Sequence, residues 1–408
     1  MRSIAVIGGG ITGVTTAYAL AKRGFAVTVF EKNRYAAMET SYANGGQLSA
    51  SNAEVWNSWP TIFHGMQWMM RKDAPLLVNP KPSWHKLSWF AEFVSNVPNY
   101  KSNTIETTRL AIAARQYLFD WAETEQIDFD LKKQGILHFY RTQSSFEHAG
   151  RVSKLLAAGG LTRRAVTPEE MHAIEPALTG QFYGGYFTES DASGDLHKFS
   201  QGLTAAAERL GARFLWNREV RAVHRSGSTI EVAVNELHAN ALPQTLTFDA
   251  VVICAGVRSR SLAASLGDRL NVYPVKGYSI TVPLTDEQSQ RAAPNVSLLD
   301  DATKLVSSRL GVDRLRVAGT AEFNGYNRDI RADRIKPLVD WVQSYFPEIN
   351  TRQVIPWAGL RPMMPNMMPK VGCGRHDNVY YNTGHGHLGW TLSAATAEML
   401  ADAVTLRG

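Results

Sequence analysis

The sequence is short of several things, and each shortage argues against a class of protein. It has two cysteines, Cys254 and Cys373, and neither stands in a C-x-x-C pair or at metal-ligand spacing. That composition speaks against a disulfide framework and a zinc site, fits a reducing compartment, and leaves no metal to expect. No apolar run approaches the ~20 residues that a membrane helix needs. The first residues enter a strand directly, without a basic leader and a long apolar segment, so a soluble or peripheral chain is expected. Low-complexity tracts and internal repeats are missing, while hydrophobic residues make up 44% of the chain, so a full core rather than disorder follows. Acidic excess is missing too. The net charge is +6 and the pI about 9.2, but Lys and Arg are scattered. Scattered charge gives no nucleic-acid patch; it makes a basic surface that draws anionic substrates or membranes.

At 408 residues the chain is too long for one ordinary core, and two domains sharing one pocket are expected. The most informative stretch is the first. Ile4-Ala5-Val6-Ile7 reads as a strand, Gly8-Gly9-Gly10-Ile11-Thr12-Gly13 as a turn, and the next residues as an apolar helix ending before Gly24. A second strand, Val27 to Phe30, runs into Glu31, eighteen residues after Gly13. In this order Gly8 permits the tight turn, Gly10 lets the backbone approach a pyrophosphate, and Gly13 lets helix and strand pack closely. Glu31 would then accept from an adenosine ribose. A dinucleotide site is expected here.

Further on, Glu39 to Ser49 is a loop of hydroxyls and small residues, suited to close backbone approach to a ligand. Residues 56–94 hold half of the ten tryptophans, namely Trp56, Trp59, Trp68, Trp84 and Trp89, with Met66, Met69 and Met70. Two readings stand: packing between domains, or an aromatic surface for a membrane or an electron acceptor. A helix is expected from Thr104 to Glu123 in an inserted domain, a strand at 135–140, and a short helix capped by Thr167 with Pro168 at its first position. Leu196 to Leu210 repeats at helical spacing and should rejoin the nucleotide fold. Phe248 to Cys254, ending in Ala255-Gly256, reads as a strand buried on both faces. Residues 271–320 alternate as an antiparallel sheet, and a helix from Ile335 to Phe346 closes that domain. Strand Val379 to Asn382, a glycine turn at Gly384 and Gly386, and a last helix offer a second positive helix end.

The Gly8 to Gly13 turn, Glu31, the Thr40 to Leu48 loop, Cys254-Ala255-Gly256, Gly359-Leu360-Arg361-Pro362 and Gly384-His385-Gly386-His387-Leu388-Gly389-Trp390-Thr391 resemble the FAD-dependent D-amino-acid oxidase and dehydrogenase superfamily over nearly the whole chain. Within it, Ser41 to Gln47, Pro274 to Ser279 and Gly386 to Thr391 are most similar to the bacterial D-amino-acid dehydrogenases of small-subunit type.

The resemblance implies an α/β plus α+β protein with a Rossmann-like FAD-binding domain, discontinuous in sequence, and a substrate domain on a mostly antiparallel sheet. The boundaries expected are 1–60, 150–265 and 350–408 for the first domain, and 61–149 and 266–349 for the second. The FAD contacts it implies are Gly8, Gly10, Ile11, Thr12, Gly13, Glu31 and Lys32, with Ser41, Gly46, Gln47 and Leu48 in the following loop. Val220, Ala255 and Gly256 follow, then Gly384, His385, Gly386, Leu388, Gly389, Trp390 and Thr391. Some relatives attach flavin through a cysteine beside the Arg361 segment; none stands there, and Cys373 is twelve residues on, so FAD is expected to be non-covalent.

Oxidation of an amino acid needs its carboxylate fixed so that Cα–H faces the flavin, and a guanidinium does this with two parallel hydrogen bonds. Arg361 matches the family position for this role, and Tyr278 would donate to the same carboxylate or close the pocket. Hydride transfer to flavin N5 gives an imino acid that hydrolyses to a keto acid and ammonia. No side-chain base is required if the amine enters neutral. His385 is expected to be structural; His387 departs from a family position that is often small. The implied activity is that of a D-amino-acid dehydrogenase, with D-proline or a D-hydroxyproline among the candidate substrates and a quinone or carrier protein as acceptor. Two alternatives remain open: an oxygen-using oxidase of glycine, sarcosine or another secondary amine, and a flavin-bearing subunit that mainly assembles with a partner chain. A cytoplasmic location is expected, with peripheral contact at the inner membrane face through the Trp-rich stretch.

Overall fold

Strand Ser3–Ile7 lies inside a six-stranded sheet in the computed structural model, which describes residues 2–68, 75–237 and 242–407. The order is Lys370–Cys373, Val379–Thr383, Ala250–Ile253, Ser3–Ile7, Ala26–Phe30, Arg213–Leu215, parallel except for the first pair. Its central strands are apolar without alternation because both faces are covered. Helices Ile11–Lys22, Leu196–Arg209 and Gly389–Thr405 bury one face through Val14, Leu203 and Ala394. On the other lie Ser259–Ser265 and a three-stranded antiparallel sheet, 218–226, 229–236 and 244–248, through Val223, Val232 and Leu262.

Helix Tyr100–Thr124 differs from expectation in its partner. Ala114, Leu118 and Trp121 pack into the same cluster as Val14 and Ala394, against the nucleotide layer rather than the second domain. Its periodicity marked a buried face; the small residues Ala111, Ala114 and Ala122 let it approach the last helix, and no sequence pattern names that partner.

The second sheet has nine strands. Ile355–Met363, Tyr273–Pro283, Arg314–Phe323, Leu305–Leu310 and Ser297–Asp300 run antiparallel, as alternation in 271–320 predicts. Ile136–Tyr140, Gly184–Thr188 and Arg164–Val166 continue it, and Leu76–Val78 pairs beside Phe323. Helix Ala332–Tyr345 covers one face through Leu338 and Val342; the opposite face looks toward the first sheet. Thr167 caps helix Pro168–Ile174 with a reciprocal bond from Glu170.

The loop after Glu31 ties the two sheets together. Ser279 and Ser308 hydroxyls donate to the carbonyls of Ala43 and Gly45, Thr40 donates to Leu360 O, and buried Arg316 donates to Asn44 O.

The Trp-rich stretch divides. Trp89 is core, Trp56 lines the cleft between the sheets, and Trp59, Phe63 and Trp84 are 53%, 55% and 81% exposed. Met69 and Met70, and the side chains of Met66 and Trp68, lie outside what is described. Among the described residues no helix is long and apolar enough to cross a membrane.

Candidate active site

A cleft of about 810 Å³ runs between the two sheets. At one end the first glycine turn forms its floor. Gly8 has φ +110°, and a Cβ there would lie 2.6 Å from Cys254 O. The Gly10 and Thr12 N–H groups reach the cleft with no acceptor among the described residues, at the positive end of helix Ile11–Lys22. Ile11 N donates to Ser41 Oγ at 3.1 Å, joining turn and loop. Glu31 is buried; Oε2 accepts from Gly9 N at 2.6 Å and Oε1 from Asn33 N at 2.9 Å. These bonds fix the carboxylate plane and leave lone pairs for sugar hydroxyls. Lys32 lines the wall beside Glu39, its ion-pair partner at 2.7 Å.

Val220, Ala255 and Gly256 line the adjoining wall. Gly256 has φ +54° with open space where a Cβ would stand, so backbone conformation alone calls for glycine. Gly384, His385, Gly386, Leu388, Gly389, Trp390 and Thr391 line the far part, at the start of helix Gly389–Thr405. This second turn sits on the Arg361 strand: His385 bridges Met363, and a Cβ on Gly386 would be 2.7 Å from Met363 Sδ. Two helix N-termini, the first with bare amides, a buried carboxylate and glycines that keep the walls flat fit a long dinucleotide such as FAD.

Three expected contacts stand off the cleft. Gly13 packs against the first strand, where a Cβ would be 1.8 Å from Gly8 O. Gly46 faces Leu310 and Ser308, and Leu48 is core, paired with Ala192. Gln47 lines the cleft, but its side chain donates to Ser297 Oγ and Leu298 O.

This separation sets a paired prediction. Gly13→Ala cannot keep helix and strand together, so it should lower Tm sharply or yield no soluble protein. Gly10→Ala meets only Ser41 Oγ at 3.6 Å, so it should melt like wild type. Its Cβ would intrude on phosphates, raising the FAD Kd by about tenfold or more, read as a lower 450/280 nm absorbance ratio. Full FAD content in Gly10→Ala would remove the phosphate role from this turn.

Arg361 lies flat across its sheet. Nη1 donates to Thr320 O at 2.7 Å and Nη2 approaches Gly319 O at 3.4 Å, while no carboxylate is in ion-pair range among the described residues. Burial pushes its pKa down to about 10, so it stays a cation at neutral pH. The guanidinium rests on Gly277, where a Cβ would be 2.3 Å from Nη1. A bulge opposite Gly277 places two residues, Thr320 and Ala321, against one, and Thr320 takes φ +58°, a strained choice for a β-branched residue. That bend turns its carbonyl onto Arg361. Trp357 lies similarly over Gly359, where a Cβ would be 2.0 Å from its ring.

Tyr278 requires a correction. Its phenol donates to Glu322 at 2.8 Å and its ring packs with Ile280 and Val282, so the hydroxyl is not free for a substrate carboxylate. Alternation along the strand sends Tyr278 and Lys276 to the face opposite Gly277. His385 is buried, its Nε2 3.0 Å from Thr396 Oγ1, with the pKa pushed down to about 3 by burial. His387 stacks on Trp56 at 4.8 Å; burial first, then the Arg361 charge, push it to about 4, so it adds no second cation.

Sequence reasoning missed Gly277, Thr320, Trp357 and the role of Trp56. The one available signal was a glycine inside a strongly β-forming run, Val275 to Ile280.

A family profile described as "DAO: FAD dependent oxidoreductase" matches residues 3–403. The chain is 59% identical over 404 residues to D-amino acid dehydrogenase 3 of Mesorhizobium japonicum, covering 99% of this chain and 97% of that one. It is 39% identical over 416 residues to D-amino acid dehydrogenase of Paramagnetospirillum magneticum, covering 99% and 95%. Among solved structures, glycine oxidase from Geobacillus kaustophilus superposes with a TM-score of 0.77 at 21% identity, over 100% of this chain and 95% of that one, a likeness of fold.

Proposed function

The chain belongs to the family of FAD dependent oxidoreductases, and from that premise we propose that it is a D-amino-acid dehydrogenase that presents its substrate through Arg361. The observation that carries the reading is the Arg361 guanidinium, facing the cleft with spare donors and no counter-ion among the described residues. An unpaired buried charge is costly, and a substrate carboxylate is the partner that its planar fork accepts. FAD, when bound, supplies the acceptor for the Cα hydride.

The protein's own residues bind and orient. Thr320 O and Gly319 O occupy one side of the guanidinium, leaving its remaining N–H groups to the substrate. Trp357, Trp56 and His387 wall this end of the cleft with Leu76 and Pro75, which keeps water away and offers flat, uncharged surface. Such walls suit an apolar or ring-closed side chain, so D-proline or a D-hydroxyproline heads the substrate series. Oxidation leaves an imino acid: an acyclic one is hydrolysed by water to an oxo acid and ammonia, whereas a ring-closed one keeps its nitrogen, as the cyclic imine or as the amino oxo acid that water opens it to.

For the acceptor we favour a quinone at a membrane surface. Trp59 and Phe63 project from a helix whose Pro60, Thr61 and His64 line the cleft, so an apolar outer surface and the cofactor path adjoin.

The test is anaerobic. Holoenzyme mixed with D-, L- and N-alkyl amino acids should lose its 450 nm band with D-amino acids, D-proline fastest, and regain it with a quinone faster than with oxygen. A yellow protein bleached by no D-amino acid would overturn the reading; rapid peroxide formation would make it an oxidase.

A further inference from the structure

Arg163 is a second cation in the cleft wall that no carboxylate balances among the described residues. Its Nη2 donates to His138 Nδ1 at 3.2 Å and reaches Tyr140 Oη at 3.4 Å, and its Cζ lies 5.1 Å from the centre of the Tyr186 ring. Nε is buried and unpartnered. Two neighbouring charges are matched, Lys304 with Asp301 at 2.5 Å and Arg141 with Asp300 at 2.6 Å, while exposed Arg151 adds a further cation to the lining. Glu54 accepts from Tyr100 and stands 3.9 Å from His148.

His138 holds Arg163 without neutralising it. A guanidinium only donates, so Nδ1 must accept, and the ring hydrogen sits on Nε2, donating to Ser51 Oγ at 2.9 Å. Burial, and then the charges of Arg163 and Lys304, keep the ring neutral. An arginine anchored on three sides, with spare donors and no counter-charge, is built for an anion that arrives from outside.

This place is not the Arg361 end. The His138 strand lies three strand steps from the Arg314–Phe323 strand whose carbonyls the Arg361 guanidinium reaches, about 14 Å at the usual ~4.8 Å spacing. Tyr140, Ser144, Ser145 and Lys304 also line the cleft, donors that suit a carboxylate.

We infer that Arg163 heads a second carboxylate-binding site, distinct from the Arg361 site, in the polar arm of the cleft. The inference rests on the reading of the enzyme as an amino-acid dehydrogenase only in naming its occupants: the amino-acid substrate on its way in, or the oxo-acid product on its way out. Both carry the carboxylate that this site recognises, and the site raises the local concentration of such anions beside the reaction chamber.

Calorimetry on dithionite-reduced holoenzyme tests it, because chemistry does not run forward there. Titration with pyruvate should give two sites per chain. Arg163→Gln should keep its flavin absorbance and its bleaching by D-alanine but retain one site, the other weakened about tenfold or more. Arg163→Lys should recover part of the lost affinity through charge alone. If Arg163→Gln does not hold FAD, Tyr186→Leu, which removes the ring beneath the guanidinium, should weaken the same site. A single pyruvate site in wild type, or two unchanged sites in Arg163→Gln, would overturn the inference. Titration with D-alanine separates the sources: an Arg163-dependent second site makes the substrate an occupant, its absence leaves the product alone. Failure of wild type to bleach with any D-amino acid would instead strike the dehydrogenase reading and leave the site count standing.

Discussion

Arg361→Ala is expected to remove anaerobic flavin bleaching by D-amino acids almost completely while leaving the FAD content unchanged. Among the described residues the guanidinium has spare donors and no carboxylate partner, and it touches the glycine-rich sheet rather than the nucleotide turns. Truncating one partner of a buried charge-assisted pair costs about 2–5 kcal/mol, so kcat/KM should fall by about 30-fold to several thousandfold. Arg361→Lys should recover little of this, because an ammonium is a point charge without the planar fork and cannot span both Thr320 O and a carboxylate. The measurement is the bleaching rate against substrate concentration, with the 450/280 nm ratio as control for cofactor loading. A variant that bleaches at the wild-type rate with unchanged half-saturation would move substrate recognition away from Arg361.

Gly277→Ala should cause the next largest loss, though residue 277 need touch neither substrate nor cofactor. A Cβ there would sit 2.3–2.4 Å from Nη1, Cζ and Nη2 of Arg361, so the guanidinium must lift by about an ångström to reach ordinary contact. Misplacement on that scale costs about a hundredfold in rate. The guanidinium would also lose Thr320 O, whose strained backbone exists at the bulge facing Gly277. FAD content should be normal and Tm lower by a few degrees at most, since the displaced group opens into the cleft rather than into the core. The informative comparison is with Gly24→Ala, a positive-φ glycine with nothing within 4 Å, which should affect stability but not turnover. Equal turnover in the Gly277 and Gly24 variants would show that Arg361 is not held by this contact.

What could be read from the sequence depended on how local each feature is. The Gly8 to Gly13 turn, the Thr167 cap and the alternation in 271–320 are set by neighbours a few residues apart, and all three appear in the structure. Tyr278 shows the limit. From its sequence context it faces a ligand as plausibly as a core, and only the strand register, with Gly277 on the cleft side, sends its hydroxyl to Glu322. The long helix after Tyr100 is similar: its buried stripe is legible, but its partner is fixed by shape across 270 or so residues of chain.

The sequence by itself determined the two glycine turns, the acidic residue after the second strand and one arginine in a Gly-Leu-Arg-Pro setting, because backbone conformation and charge are properties of short segments. Only the tertiary structure decided that Arg361 lies over Gly277, that Trp56 and Trp357 wall the same chamber, and that Arg163 lines the same cleft with no carboxylate in ion-pair range among the described residues. Those relations arise where strands far apart in sequence are brought side by side. A hydrogen-bonded register, and not any local preference, then chooses which side chains meet.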